Sequence, residues 1–158
     1  MEDKQKKLEV LAKLAADLNE SDILWAVGAS TMLFLRRIVT DFHDIDLMVC
    51  EEDVDVAKEI LLRHGKLLPT EKDSKYGSHH FLEFDVDGVE IDLIAGFVIN
   101  TEDGKQHVCP LEVEEVDACV DVFEQAIALH SLQVWYKYYT WMGRTDRVKT
   151  IEEFLEIK

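Results

Sequence analysis

The feature that most constrains the fold is the dipeptide Asp87-Gly88, which separates two runs of alternating apolar and polar residues, HFLEFDV and VEIDLIAGF. Asp-Gly between two such runs is the strongest short-range signal for a β-hairpin, because both residues tolerate the backbone of a tight turn. The chain is therefore predicted to contain two antiparallel strands. Successive side chains of a strand point to opposite faces, so Glu90 and Asp92 share one face of the second strand.

The rest of the chain alternates between apolar residues at helical spacing and short apolar runs. The predicted helices cover 3–19, 31–38, 52–64, a segment capped by Ser131 and a last segment capped by Thr145. The other predicted strands cover 23–27, 44–50 and 66–69. Residues 118–123 alternate as a strand does, with a helix beginning near residue 113 as the alternative. These elements predict an α+β fold, a mixed sheet with helices packed against it.

Charge and composition limit the classes of function. The 158 residues contain no apolar run near the roughly 20 residues of a membrane span. The net charge of −16 disfavours binding to nucleic acid, which normally needs a basic surface, and is compatible with a cationic small molecule or a basic protein partner. The N-terminus has no signal-peptide core, and Cys50, Cys109 and Cys119 form no close pair. A cytoplasmic protein with reduced thiols is expected.

Two carboxylates occupy one face of an apolar strand in the stretch HDIDLMV. Asp44 and Asp46 lie two residues apart, so their side chains point the same way at a separation of roughly 7 Å. Two charges at that distance repel by about 2 kcal/mol at an effective dielectric near 20. A divalent cation would relieve the repulsion, and Mg²⁺ binds through one or two carboxylates plus substrate phosphates. The same pattern also occurs on exposed strands, in calcium loops and in glycosyltransferases.

Two other features accompany this pair. The turn Gly28-Ala29-Ser30 joins an apolar strand to a helix, where glycine permits close approach of a ligand and free N–H groups favour phosphate. Many turns of this kind bind nothing. Asp92 lies in a strand that is expected to share a sheet with the Asp44/Asp46 strand, although it could simply belong to a polar face.

The segment VGASTMLFLRRIVTDFHDIDLMV, followed by VEIDLI, resembles the polymerase-beta-type nucleotidyltransferase superfamily. Its members carry a small-residue turn, an acid-x-acid strand and a third acid on a later strand. The run from Thr40 to Leu47 is similar to small antibiotic nucleotidyltransferases, including lincosamide and aminoglycoside enzymes. The C-terminal HSLQVWYKYYTWMGR is similar to uncharacterised small members. Ala29 departs from the family pattern, because it replaces a usual small residue and moves the serine one place later.

The resemblance implies a palm-like mixed sheet with a helical C-terminus in a single domain over 1–158. The catalytic core would cover about 20–110, and a strand and helices would follow over about 111–158. It further implies Mg²⁺-dependent transfer of a nucleoside monophosphate, from ATP, to a hydroxyl of a small-molecule acceptor, with release of pyrophosphate. The alternatives are nucleotidylation of a protein or RNA partner, as in toxin-like members, or a non-catalytic nucleotide-binding module. A homodimer is compatible with the resemblance.

The roles of individual residues follow from the same resemblance. Asp44 and Asp46 would hold Mg²⁺, and Asp92 would complete a second metal site or accept the hydroxyl proton. The turn from Gly28 to Ser30 would contact the nucleotide phosphates.

Basic and aromatic residues near the C-terminus are further candidates. Lys137, Arg144 and Lys149 could neutralise a triphosphate, whereas Tyr138 and Trp141 fall partly off the apolar helix face and could line an acceptor pocket or a dimer surface.

Overall fold

A mixed seven-stranded sheet organises the computed structural model, which describes residues 2–69 and 79–156. The helices are α1 (Glu2–Glu20), α2 (Ala29–Leu35), α3 (Val54–His64), α4 (Leu132–Met142) and α5 (Thr145–Leu155). The strands are β1 (Trp25–Gly28), β2 (Ile45–Val49), β3 (Lys66–Leu67), β4 (His80–Val86), β5 (Val89–Ala95), β6 (Phe97–Asn100), β7 (Gln106–Cys109), β8 (Val116–Val122) and β9 (Gln125–His130). The strand order is β3-β4-β5-β2-β1-β9-β8, and β6 pairs with β7 separately.

The centre of the sheet fixes the positions of the acidic residues. Strand β2 runs parallel to β5 and antiparallel to β1. Gly28 of β1 pairs with Asp46 of β2, and Asp46 pairs in turn with Asp92 of β5. The neighbouring residues Ile45 and Ile91 also pair, and both are fully buried in the hydrophobic core. The alternation therefore places apolar side chains on one face of the central strands and carboxylates on the other.

Helices α1 and α3 pack against each other and against the sheet. Leu11, Leu14 and Leu18 of α1 follow helical spacing and are fully buried, as the apolar pattern of this segment predicts. On the C-terminal side, α4 contacts α2, α5 and β6. None of the helices in the described residues has the length and apolar character needed to cross a membrane.

The predicted hairpin is confirmed as β4 and β5. Asp87 and Gly88 both adopt positive φ angles, 54° and 85°, and the Asp85 side chain accepts a hydrogen bond of 2.8 Å from the Gly88 N–H. Ser131 caps α4, as predicted, by accepting a hydrogen bond from the Val134 N–H. The helix predicted over 31–38 begins earlier and ends at Leu35.

Two expectations in the C-terminal part meet different outcomes, and one further strand was not predicted. Residues 118–123 belong mostly to strand β8, so the alternative of a helix from residue 113 is wrong, and only a 3₁₀ turn occupies Val113–Glu115. Thr145 is the first residue inside α5 rather than its cap. Strand β9 was not expected, because its hairpin with β8 turns through Phe123 and Glu124 and lacks the usual glycine signal.

Candidate functional site

Four carboxylates gather at the centre of the sheet. Asp44 directly precedes β2. One carboxylate oxygen from each of Asp44, Glu90 and Asp92 lies within 4.8 Å of the other two. Asp46 lies in β2 directly beside Asp92 of β5, and the two carboxyls are close enough to shift each other's pKa. The structure therefore brings together the three acids singled out in the sequence. It adds Glu90, whose shared face with Asp92 was visible in the alternation but to which no role was assigned.

The clustering changes the protonation of these acids. Burial, reinforced by the negative charge of Asp44, raises the pKa of Asp46 to about 7. Burial and the charge of Asp46 raise the pKa of Asp92 to about 9. Burial and Asp44 also raise the pKa of the exposed Glu90. Without a cation, the cluster therefore retains protons that isolated carboxyls would lose at neutral pH.

The donor set fits a hard divalent cation. Mg²⁺ and Ca²⁺ prefer oxygen ligands, and every donor in this cluster is a carboxylate oxygen. The Oδ1 atom of Asp92 is buried and has no hydrogen-bond partner, which is costly for an oxygen unless a cation or water contacts it. Asp44, Asp46 and Asp92, with Glu90 at the exposed side, are the residues that could hold the ion.

The Gly28-Ala29-Ser30 turn lies beside these acids, but Gly28 does not line the cavity there. A Cβ atom on Gly28 would come within 2.5 Å of Cζ2 of Trp135, so glycine makes room for the indole of the same chain. Ala29 adopts a positive φ of 51° and opens α2, and both Ala29 and Ser30 line the cavity. Because α2 has only seven residues, the Ser30 hydroxyl is the clearest donor that the turn offers.

A cavity of about 340 Å³ opens over the acids. Besides the acids and other polar side chains, its lining includes apolar and aromatic residues, namely Phe81, Ile94, Phe97, Trp135, Tyr139 and Met142. Two arginines of the C-terminal region, Arg144 and Arg147, also line it. Arg144 was a candidate from the sequence, whereas Arg147 was missed because no local motif marks it.

Tyr138 and Trp141 of α4, which the sequence suggested for an acceptor pocket or a dimer surface, do not line the cavity. Tyr138 is buried and packs against Phe97, with ring centroids 5.5 Å apart, and it does not line the cavity. Trp141 stacks on His107, with centroids 3.7 Å apart and planes 6° apart. The aromatic side chains that reach the cavity from α4 are instead Trp135 and Tyr139.

Buried hydrogen bonds hold the surroundings of the acids in place. The fully buried Thr31 donates from Oγ1 to the backbone carbonyl of Asp44 at 2.9 Å, which ties α2 to the start of β2. Trp135 donates from Nε1 to Nδ1 of the fully buried His130 at 2.9 Å, and Nε2 of His130 faces Glu115 at 3.4 Å. Burial lowers the pKa of His130, so the neutral imidazole accepts from the indole and fixes its orientation.

Comparisons with known proteins agree with this architecture. No family model matches the chain, and no curated protein matches it. A solved structure from Thermotoga maritima, described as a "putative nucleotidyltransferase", is 24% identical, with 97% of this chain and 94% of that chain covered and a TM-score of 0.73.

The antibiotic-resistance factor ANT(2″)-Ia is similar in two further structures. The crystal structure of its complex with adenylyl-2″-tobramycin is 12% identical over 93% of this chain and 86% of that chain, with a TM-score of 0.60. The solution structure is 12% identical over 95% and 84%, with a TM-score of 0.63. These likenesses show that the chain has the nucleotidyltransferase fold, as the sequence resemblance implied.

Proposed function

We propose that this chain is an Mg²⁺-dependent nucleotidyltransferase that moves AMP from ATP to a hydroxyl group of a small-molecule acceptor and releases pyrophosphate. One observation carries the proposal. The β2–β5 pairing sets Asp46 beside Asp92, with Asp44 adjacent, in a cavity that Ser30 and two arginines also line. A cluster of acids facing basic side chains is the arrangement that a metal-bound nucleotide requires.

Each acid has a stated role in this proposal. Asp44, Asp46 and Asp92 hold the ion, which neutralises charge on the phosphates and aligns them when bound. The acceptor oxygen attacks the α-phosphorus in line with the leaving group, and the bond from that phosphorus to the bridging oxygen of pyrophosphate breaks. Asp92 either accepts the hydroxyl proton or completes the second metal site. Ser30 donates a hydrogen bond to a phosphate oxygen.

Three observations support a small-molecule acceptor. The apolar and aromatic wall offers one side of the cavity to a compact ligand, and a volume of about 340 Å³ lies in the range of small-molecule sites. ANT(2″)-Ia, which shares the fold, has been crystallised with an adenylylated aminoglycoside. The net charge of −16 is compatible with a cationic acceptor and unfavourable to RNA.

Calorimetric titration of Mg²⁺-ATP and Mg²⁺-GTP into the wild type and the variant Asp44→Asn/Asp46→Asn tests the site. We expect magnesium-dependent binding that is lost in the double variant and kept in Asp121→Asn, which removes an exposed acid from edge strand β8. Equal binding by the wild type and the double variant, or no nucleotide binding by the wild type, would refute the proposed site.

Pyrophosphate release then separates transfer from binding alone. Transfer of labelled AMP to a panel of hydroxylated small molecules, cationic and neutral, is the expected result. Label that moves instead to protein or RNA would identify the toxin-like alternative. Nucleotide binding with no pyrophosphate release in the presence of any acceptor would indicate a non-catalytic module. Sedimentation with and without Mg²⁺-ATP would test whether the chain forms the homodimer that the sequence resemblance allows.

A further inference from the structure

Strand β8 leaves one edge of the seven-stranded sheet open. It pairs with β9 on one side, and among residues 2–69 and 79–156 no strand pairs with its other side. The β8–β9 hairpin closes at Val122 and Gln125 across a two-residue turn, so these two residues bond to each other. Bonding alternates along an antiparallel strand, so the N–H and C=O groups of Cys119 and Asp121 point away from β9. A further strand could bond to these groups.

The two faces of this edge strand differ in chemistry. Apolar side chains pack on the core on one face, whereas Asp117, Cys119 and Asp121 are exposed on the other. The apolar face continues into a groove of about 440 Å³, lined by Phe34, Leu35, Val39, Val120 and Val122, with Arg37 as its basic residue. A strand added at this edge would therefore meet acids on one face and apolar side chains on the other.

The sequence around the edge is acidic throughout. No lysine or arginine occurs between Lys105 and Lys137. Six acidic residues occur there, namely Glu112, Glu114, Glu115, Asp117, Asp121 and Glu124. Val113 and Phe123, which flank the strand, are the most exposed large apolar side chains described, at 67% and 55%. A surface that is both acidic and apolar fits a basic and apolar protein segment, and it repels nucleic acid and anionic lipid.

A second copy of the chain is a poor occupant of this edge. Antiparallel pairing of two copies of β8 centred on Cys119 would place Asp117 of each copy opposite Asp121 of the other, and like charges directly opposite are destabilising. Arg36 offsets only part of this charge, because it pairs with Asp117 at 2.8 Å. Charged side chains on edge strands commonly prevent self-pairing, and the same acids attract a strand of opposite charge.

We propose that the outer edge of β8 binds an extended segment of a partner protein in which basic and apolar residues alternate. The segment adds a strand to the sheet by hydrogen bonding to the backbone of Cys119 and Asp121. Its basic side chains face the acids, and its apolar side chains enter the groove. Strands β1 and β9 separate β8 from β2, so the partner leaves the cavity over the acids open. This inference does not depend on the proposed function.

Fluorescence anisotropy with the labelled peptide acetyl-KVKVKVK-amide tests the proposal at low salt, where charge attraction is least screened. We expect it to bind at least about 10-fold more tightly than KKKVVVK, which has the same composition without the alternation, and EVEVEVE should not bind. Asp121→Lys should weaken binding by about 5–10-fold. Glu59→Lys makes the same charge change at an exposed position of α3 and should weaken it less than about 2-fold.

Amide hydrogen exchange, followed by NMR, gives an independent readout of strand addition. Saturation with the alternating peptide should slow exchange at Cys119 and Asp121 by about 5–10-fold, and nucleotide affinity should stay unchanged. If Asp121→Lys does not fold, Cys119→Lys places a positive charge at the neighbouring exposed position and carries the same comparison.

Three outcomes of the peptide titrations would overturn the proposal. They are no binding of the alternating peptide up to about 1 mM, equal binding of KVKVKVK and KKKVVVK, and equal losses in Asp121→Lys and Glu59→Lys. Peptide binding without protection of the Cys119 and Asp121 amides would also overturn it. Protection of these amides without peptide, rising with protein concentration, would identify a second copy of the chain as the occupant instead.

Discussion

Replacing Asp46 by asparagine should stabilise the metal-free protein at alkaline pH. Burial and the neighbouring Asp44 raise the pKa of Asp46 from its ordinary value of 3.8 to about 7. Between these values the folded state binds more protons than the unfolded state, so the free energy of unfolding falls as the pH rises. At about 1.36 kcal/mol for each pKa unit, the full shift would correspond to about 4 kcal/mol.

The measurable gain should be smaller than that. Asp46 and Asp92 shift each other's pKa, so part of the effect belongs to the pair and remains when one member is neutralised. An asparagine keeps nearly the same shape and can still hydrogen-bond to Asp92. We therefore expect Asp46→Asn to raise the free energy of unfolding by about 1–3 kcal/mol near pH 8 in the absence of metal, with little gain near pH 4.

Urea unfolding in EDTA, followed by circular dichroism across this pH range, measures the effect. The wild type should lose stability as the pH rises from about 4 through the raised pKa of Asp46, about 7, and on to that of Asp92, about 9, and Asp46→Asn should lose less of it by pH 8. Added Mg²⁺ should stabilise the wild type more than the variant, because it binds the folded state. Asp121→Asn, an exposed acid on the edge strand β8, serves as the control. A variant that is less stable than the wild type near pH 8 in EDTA would refute the reasoning.

Three substitutions test the contacts around the acids by urea unfolding. Gly28→Ala should cost about 1–3 kcal/mol, because the new methyl overlaps the Trp135 ring, and an unchanged midpoint would contradict the packing. Thr31→Val removes the hydrogen bond to the Asp44 carbonyl, so it should lower the free energy of unfolding by about 1–3 kcal/mol and weaken Mg²⁺ binding. Unaltered metal affinity would argue against a positioning role for Thr31. Trp135→Phe leaves the buried His130 nitrogen without a donor and should destabilise by a similar amount, whereas full stability would show that the bond is dispensable.

Local sequence patterns correctly predicted the turns and the strand faces, because both are determined by residues close together in the sequence. The Asp87-Gly88 turn set the register of β4 and β5, and the two-residue period of β2 placed Asp44 and Asp46 on one face. The prediction that Asp46 lies near Asp92 also needed the assumption that β2 and β5 share a sheet. The structure confirms that the two strands are neighbours. Period-two alternation together with the assumption of a shared sheet was therefore enough to gather the three acids.

Such patterns could not predict which residues reach the site through tertiary packing. Arg147 meets the cavity only because α5 folds back after Gly143, and its spacing along the helix resembles that of any exposed basic residue. Glu90 shares a face with Asp92, but its closeness to Asp44 depends on the parallel register of β2 and β5. The sequence pattern could place Glu90 on the same face as Asp92, but it could not predict that Glu90 lies close to Asp44 of the neighbouring strand.

The structure gives the glycine at position 28 a different physical reason from the one that the sequence argument assigned. The sequence argument assigned its missing side chain to the approach of a ligand, whereas the structure fills that space with the indole of Trp135. The indole is oriented by His130 at the end of β9, and β9 pairs in parallel with β1. The turn that precedes Ser30 is therefore supported by the C-terminal part of the chain, which also contributes Arg147 to the cavity. Strand β9 and helices α4 and α5 thus help to build the site, because they support the back of the turn and bring Trp135, Tyr139 and Arg147 to the cavity.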